Sequence, residues 1–127
     1  MDKVAKKTLM VIPVEIAGQK YISLATFRRS GARVDTPVWF GEAGGKLYVK
    51  SRTDSGKFKR IRNNSAVKVA PCNMRGKITG PEFAGRGRIL SSQEEDVAKA
   101  AVNRKYWLAR LPFRSSKNQY LEIELIA

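Results

Sequence analysis

Residues Leu47–Asn64 read LYVKSRTDSGKFKRIRNN, and they contain the change of pattern that decides the fold. From Lys46, the residue before this stretch, to Arg52, the side chains alternate between two faces, as they do in a β-strand. From Thr53 onward this two-residue period is lost, and Phe58 and Ile61 stand at helical spacing. The stretch therefore predicts a strand that passes directly into a helix of two or three turns.

The junction between this strand and this helix has the composition of a phosphate site. Asp54 or Ser55 can cap the helix, and Ser51, Thr53 and Gly56 lie beside them. Backbone N–H groups at a helix N-terminus, small hydroxyl groups and a lysine in the first turn together bind phosphate. The alternative is that a basic helix is simply a solvated face. Apart from Asp54, the charged residues of the segment are Lys46, Lys50, Arg52, Lys57, Lys59, Arg60 and Arg62.

Two further strands are predicted before this segment. Lys20–Phe27 alternates with apolar residues on both faces, so it is expected to be covered on both sides. Val34–Phe40 alternates as a second strand, in which Pro37 marks an edge or a bulge because proline cannot donate to a ladder. A turn at Gly44-Gly45 then leads into Lys46. The three strands are predicted to follow one another as an antiparallel meander.

The second half of the chain predicts three more strands and one longer helix. The strands are Ala66–Pro71, Phe83–Leu90 and Tyr120–Ile126. Ser92 and Glu95 have the spacing of a capping box, which predicts that a helix begins there. Its inner face is predicted to consist of Val97, Ala98, Ala101, Val102, Lys105 and Leu108.

Five or six strands and two helices predict a small β-barrel with appended helices, because a sheet of this size must curl to protect its edges. Val4–Gly18 stays open between strand and helix, although Pro13 argues against an uninterrupted helix. Gly85 and Gly87 within a strand indicate either a close approach by another group or a bulge.

The composition limits the chemistry available to the chain. It has 127 residues and is treated as one domain, 1–127. Its net charge of +14 points to an anionic partner, and the absence of histidine removes the usual general base and metal ligand. Cys72 is the one cysteine, so neither an internal disulfide nor a metal site is expected. The apolar run at residues 9–14 is too short for a membrane span, and a cytoplasmic location is expected.

Several of these segments resemble a known family. TPVWF at Thr36–Phe40, the Gly-Gly hairpin and the Leu47–Asn64 stretch are similar to the signature region of the pyridoxamine-phosphate-oxidase-like superfamily. The similarity is greater to its F420-dependent oxidoreductase branch. It covers about residues 20–110 and includes KYISLATFRRSG from Lys20, APC from Ala70, GRGRIL from Gly85 and RKY from Arg104.

This resemblance implies a fold, a cofactor and a set of binding residues. The fold would be mainly β, an FMN-binding split barrel with six antiparallel strands in a Greek-key-like arrangement and added helices. Ser55 and Lys57 would hold the cofactor phosphate, assisted by Lys50, Ser51, Arg52 and Thr53. The strand from Thr36 would run beside the tricyclic ring, with backbone groups of Pro37, Val38 and Trp39 at its polar edge. Family members are homodimers, and Trp107 and Arg110 are candidates for contributions from the second chain.

The function that the resemblance implies is hydride transfer from F420 to an unidentified organic acceptor, in which the cofactor supplies the reactive atom. The triplet Ser55-Gly56-Lys57 departs from the Ser-Arg-Lys of the flavin-using oxidases, which favours F420 over FMN without excluding FMN. Three other functions stay open: an FMN flavoprotein, a carrier of the cofactor or of a tetrapyrrole, and a basic nucleic-acid-binding barrel. Trp39 stays open between a packing role and a ring-stacking role.

Overall fold

The computed structural model describes residues 8–9, 11–106 and 118–126. Within these residues, seven strands form one sheet, two α-helices flank it, and a 3₁₀ turn at Ser92–Glu94 precedes the second helix. The strands are β1 (Tyr21–Phe27), β2 (Arg33–Val38), β3 (Gly41–Ala43), β4 (Lys46–Arg52), β5 (Ala66–Cys72), β6 (Phe83–Ile89) and β7 (Asn118–Leu125). The helices are α1 (Gly56–Asn63) and α2 (Glu95–Lys105).

The connection between β2 and β3 closes the sheet. The strand order is β2-β1-β5-β6-β7-β4-β3, and neighbouring strands are antiparallel. β2 and β3 stand at opposite ends of this order, yet only Trp39 and Phe40 separate them in the chain. Consecutive Cα atoms are about 3.8 Å apart, so the three steps from Val38 to Gly41 span at most about 11 Å. The sheet must curl until its ends meet, which confirms the predicted mainly β split barrel.

The barrel interior is filled by apolar side chains from most of its strands. β1 is buried on both faces, as its apolar alternation predicts. Helix α1 adds Phe58 and Ile61 to the core. A Cβ atom on Gly87 would lie 3.3 Å from the Ile61 side chain, so this glycine lets α1 pack closely on β6. A Cβ atom on Gly85 would lie 3.0 Å from the Glu124 carbonyl oxygen, so the close-approach interpretation of these glycines is confirmed.

The predicted meander of the first three strands is wrong. β1 and β2 pair as expected, and β2 lies at an end of the sheet, where Pro37 needs no ladder partner. β4, however, pairs with β3 and β7 and not with β2. The physical reason is that β2 ends at Val38, two residues before the predicted end, and the link through the buried Phe40 leads the chain to the other end of the sheet. The short strand β3 follows it, so the barrel has seven strands where six were predicted.

The predicted capping box of the second helix is one residue late. The Glu94 carboxylate accepts hydrogen bonds from the Ser91 N–H at 2.9 Å and the Ser91 hydroxyl at 3.1 Å, which makes the capping box Ser91/Glu94. Arg88, near the end of β6, donates to the same carboxylate at 2.7 Å and adds a charged partner to this box. The box starts the 3₁₀ turn, and α2 follows it.

The inner face of α2 is narrower than predicted. Ala98, Ala101 and Val102 are buried, whereas Val97 is 53% exposed. The small side chains of Ala98 and Ala101 let α2 approach β3 closely. The ammonium of Lys105 lies on the inner face, 3.3 Å from the centre of the Phe40 ring. Leu108, which was also assigned to this face, lies outside the described residues.

Residues 14–18 form a turn in which the N–H groups of Ile16 and Ala17 donate to the Pro13 carbonyl. This part of Val4–Gly18 is therefore neither a strand nor a helix.

In the described part of the chain, neither helix is long and apolar enough to cross a membrane.

We expect Gly41→Ala to destabilise the fold strongly. The added Cβ atom would lie 2.5 Å from the backbone carbon of Ala101, so α2 would have to move away from β3. Overpacking of this kind costs about 1–3 kcal/mol of unfolding free energy. Urea denaturation followed by circular dichroism measures the loss. Val97→Ala on the exposed side of α2 is the control and should change the free energy by less than about 0.5 kcal/mol. Equal effects of the two substitutions would contradict the close contact.

Candidate functional site

A cavity of about 520 Å³ opens where the end of β2, the end of β4, the start of α1 and one face of α2 meet. This volume is in the range of pockets that hold small molecules. The lining residues are Thr36, Pro37, Val38, Trp39, Lys50, Ser51, Arg52, Lys57, Val102 and Asn118. The cavity thus unites two segments that the sequence predicted to act together, the strand from Thr36 and the end of the strand before α1.

One wall of the cavity is apolar. Pro37, Val38 and Trp39 come from the end of β2, and Val102 comes from the buried face of α2. β2 is at the end of the sheet order, so within the described sheet one side of its backbone has no ladder partner. Backbone groups of such a strand can form hydrogen bonds with a ligand. This wall therefore suits a flat ring with polar groups along one edge.

The opposite wall is cationic. Lys50, Ser51 and Arg52 end β4, and Lys57 lies in the first turn of α1. The Lys57 ammonium donates a 2.8 Å hydrogen bond to the Ser51 hydroxyl, which holds the two side chains together. Burial lowers the pKa of Lys57, and the nearby charge of Arg60 lowers it further. A cation held under these conditions is stabilised when an anion binds beside it.

The helix start adds polar groups next to this wall. Ser55 is the N-cap residue of α1, and its hydroxyl does not cap the helix. The Ser55 Oγ atom is buried and has no hydrogen-bond partner among the described residues. A buried hydroxyl that lacks a partner gains free energy when a ligand supplies one. This observation fits the phosphate that the sequence places at Ser55 and Lys57.

Other predicted site residues are placed differently. Thr53 is exposed, and neither Thr53 nor Ser55 is among the residues that line the cavity. Arg52 lines it but also donates to both carboxylate oxygens of Asp54, at 3.1 and 3.2 Å. Trp107 and Arg110 lie outside the described residues, so their predicted contribution from a second chain stays a prediction.

Trp39 is held against Tyr106. Their rings are stacked with centroids 4.5 Å apart and an angle of 2° between the planes. The Tyr106 hydroxyl accepts a hydrogen bond from the Phe40 N–H at 3.2 Å and donates one to the Lys20 carbonyl at 2.5 Å. Trp39 thus has a packing partner, so the packing role is confirmed. Trp39 also lines the cavity, and its role in stacking on a ligand ring stays a prediction.

Tyr106 supports the cavity wall through Trp39 and is not itself among the residues that line the cavity. Burial raises its pKa to about 12, with the N–H of Phe40 acting in the opposite direction. Val102 and Asn118 line the cavity but were not predicted as site residues. Val102 had a signal, since it was assigned to the inner face of α2. Asn118 had none, because it reaches the cavity by pairing with Arg52 across β4 and β7.

The family model for pyridoxamine 5'-phosphate oxidase matches residues 13–125. The chain belongs to the pyridoxamine 5'-phosphate oxidase family. The match spans the whole barrel and both walls of the cavity, so the family resemblance drawn from the sequence is confirmed. No curated protein matches the sequence significantly.

Solved structures show the same fold at low identity. A protein of unknown function from Agrobacterium tumefaciens is 17% identical with a TM-score of 0.68, over 83% of this chain and 48% of its own. An F420 reductase is 19% identical with a TM-score of 0.60, over 91% of this chain and 97% of its own. A heme binding protein from Mycobacterium smegmatis is 16% identical with a TM-score of 0.66, over 86% and 48%. The chain therefore spans about half the length of the Agrobacterium tumefaciens protein and of the heme binding protein.

We expect Lys57→Met to leave the ligand-free protein as stable as before, or more stable by up to about 1 kcal/mol. The ammonium is partly buried beside Arg60, so an apolar side chain of similar length removes a repulsion. Thermal unfolding followed by circular dichroism tests this, with Lys59→Met on the exposed side of α1 as the control. A clear loss of stability confined to Lys57→Met would show that the lysine has a structural role.

Proposed function

We propose that the protein is an F420-dependent oxidoreductase that binds the deazaflavin in the cavity between β2, β4, α1 and α2. The observation that supports this proposal most directly is the division of the cavity into an apolar wall and a cationic wall. A tricyclic ring requires the first, and a phosphate requires the second. The two walls come from the segments that carry the family resemblance.

The residues present fit such a cofactor. Lys57 is partly buried close to Arg60. The Ser55 hydroxyl is buried without a partner among the described residues. Both observations are explained by a phosphate that accepts hydrogen bonds from these groups and neutralises the positive charge. Lys50 and Arg52 would add long-range attraction for an anion.

When bound, a reduced deazaflavin supplies a hydride to an electron-poor acceptor. The chain's own part is to bind, orient and exclude water. Pro37 and Val38 would lie along the ring, and the stacked pair of Trp39 and Tyr106 would keep that wall in place. The proposal assigns no proton donor to the chain, in agreement with the absence of histidine.

Heme is the main alternative, since one structural neighbour is a heme binding protein. Heme iron is commonly held by His, Cys, Met or Tyr. The chain contains no histidine, and the described lining of the cavity contains no Cys, Met or Tyr. These points favour a deazaflavin, with FMN as the second candidate.

The proposal includes a homodimer in which each cavity is completed by the second chain. The cavity is open on one side, and Trp39 is 36% exposed at its wall. Trp107 and Arg110 of the partner are the proposed contributors, as the family resemblance implies.

The cofactor is tested by titrating the protein with F420, FMN and hemin while following intrinsic tryptophan fluorescence. We expect F420 to bind with a dissociation constant below about 100 µM, a weak limit on the affinity scale. Lys57→Ala should weaken F420 binding about tenfold or more, because a charged hydrogen bond contributes about 1.5–3 kcal/mol. Arg62→Ala is the matched control: Arg62 is an exposed cation on the same helix and does not line the cavity.

Three results would overturn parts of this proposal. Failure of both F420 and FMN to bind below about 100 µM would remove the oxidoreductase function. Binding of hemin alone would assign the cavity to a tetrapyrrole. Equal weakening by Lys57→Ala and Arg62→Ala would show that net charge, and not the predicted phosphate site, attracts the cofactor.

The dimer is tested by sedimentation equilibrium. We expect a mass twice that of the chain. Trp107→Ala and Arg110→Ala should weaken F420 binding and leave Lys57 and its surroundings unchanged. A monomer that binds F420 with full affinity would contradict the contribution from a second chain.

A further inference from the structure

A second concave surface lies on the other side of α1 from the cofactor cavity. This basic groove has a volume of about 630 Å³ and runs between α1 and the turn that joins β1 to β2. Its lining residues are Arg28, Arg29, Gly56, Lys59, Arg60 and Asn63. Four of these side chains are cations, and none is a carboxylate.

The arginines of the groove have no salt bridge to a carboxylate of the described residues. Several arginines elsewhere do, as Arg33 does with Asp35, Arg86 with Glu124 and Arg88 with Glu94. In the groove, the hydrogen-bond partners are neutral. Arg29 donates to the Asn63 amide oxygen at 3.4 Å, and Arg60 donates to the Thr26 hydroxyl at 2.6 Å. Among the described residues, no salt bridge neutralises the four groove cations.

Arg60 is held in a fixed position. Its hydrogen-bond partner Thr26 is almost fully buried, so the acceptor cannot move freely. Its guanidinium also covers Gly56: a Cβ atom there would lie 2.6 Å from Arg60 Nη1. Glycine at this position therefore makes the space that the guanidinium occupies. An arginine that is already ordered loses less entropy when it binds an anion.

The surroundings of Arg60 also destabilise its charged form. Burial lowers the pKa of Arg60, and the charge of Arg28 lowers it further. Two guanidinium groups that repel each other without a described carboxylate between them are stabilised by an anion that contacts both. Guanidinium groups bind phosphate through pairs of parallel hydrogen bonds.

We propose that the basic groove is a binding site for an oligophosphate chain, such as the triphosphate of a nucleotide or inorganic polyphosphate. Several linked phosphates place enough negative charge in a short length to contact three arginines and a lysine at once. The groove lining has no aromatic ring on which a base could stack, so the phosphates are the recognised part. This site is separate from the cofactor cavity and does not depend on which cofactor binds there.

The test is calorimetric titration of the protein with inorganic tripolyphosphate and with ATP, each without metal, at a fixed moderate salt concentration. Arg60→Gln should weaken tripolyphosphate binding about tenfold or more. Gly56→Ala should do the same, since the new methyl group displaces the guanidinium while the net charge is unchanged. Alanine favours a helix over glycine, so the second loss would not come from unfolding of α1.

Arg62→Gln is the matched control. It removes the same charge from an exposed position on the same helix outside the groove, and it should change the affinity less than twofold. Equal affinities of tripolyphosphate and ATP identify the phosphate chain as the whole ligand, and tighter binding of ATP identifies a nucleotide as its source.

Four outcomes would overturn the inference. The first is that neither ligand binds, and the second is that Arg60→Gln and Arg62→Gln reduce the affinity for tripolyphosphate equally. The third is that Lys57→Ala abolishes binding whereas Arg60→Gln retains it. The fourth is that a poly-glutamate peptide binds as tightly as tripolyphosphate. The third would place the anion in the cofactor cavity. Failure of the cofactor titration with F420 would leave the groove result unaffected, because the two experiments use different ligands and different key residues.

Discussion

The two-residue link between β2 and β3 is the constraint on which the rest of the structure depends. Trp39 and Phe40 must connect the two ends of a seven-stranded sheet, so the sheet has to curl and the ends have to meet. Phe40 enters the core, and Trp39 stays at the surface against Tyr106. The same link brings the end of β2 next to β4 and α1, and this meeting point is the cavity.

Helix α1 separates two cationic surfaces. Lys57 belongs to the cavity on one side, and Arg60 belongs to the basic groove on the other. Burial lowers the pKa of Lys57, the charge of Arg60 lowers it further, and no carboxylate among the described residues forms a salt bridge with either side chain. Two neighbouring cations without a salt bridge reduce the stability of the ligand-free protein and increase its affinity for anions. Arg88, in contrast, forms salt bridges with both Glu94 and Glu122.

Local patterns predicted most individual elements and failed where distant contacts decide. The alternation in β1 and the helical spacing of Phe58 and Ile61 were sufficient, because the period of a strand or helix is set by neighbours in the chain. The capping box was misplaced by one residue because Ser91 and Ser92 are each followed by a glutamate three residues later, so the pattern fits both. The meander was wrong because the alternation within a strand does not determine which other strand it pairs with.

The sequence by itself determined six of the seven strands, both helices, the family and the two segments that supply most of the cavity lining, since these follow from local periodicity and from a motif that occupies adjacent positions. Only the tertiary structure decided that Asn118 and Val102 complete the cavity and that Gly56 makes room for Arg60. It also decided that Arg28 and Arg29 share a groove with α1. The physical reason is that these contacts join residues far apart in the chain, and their geometry exists only after the barrel has closed.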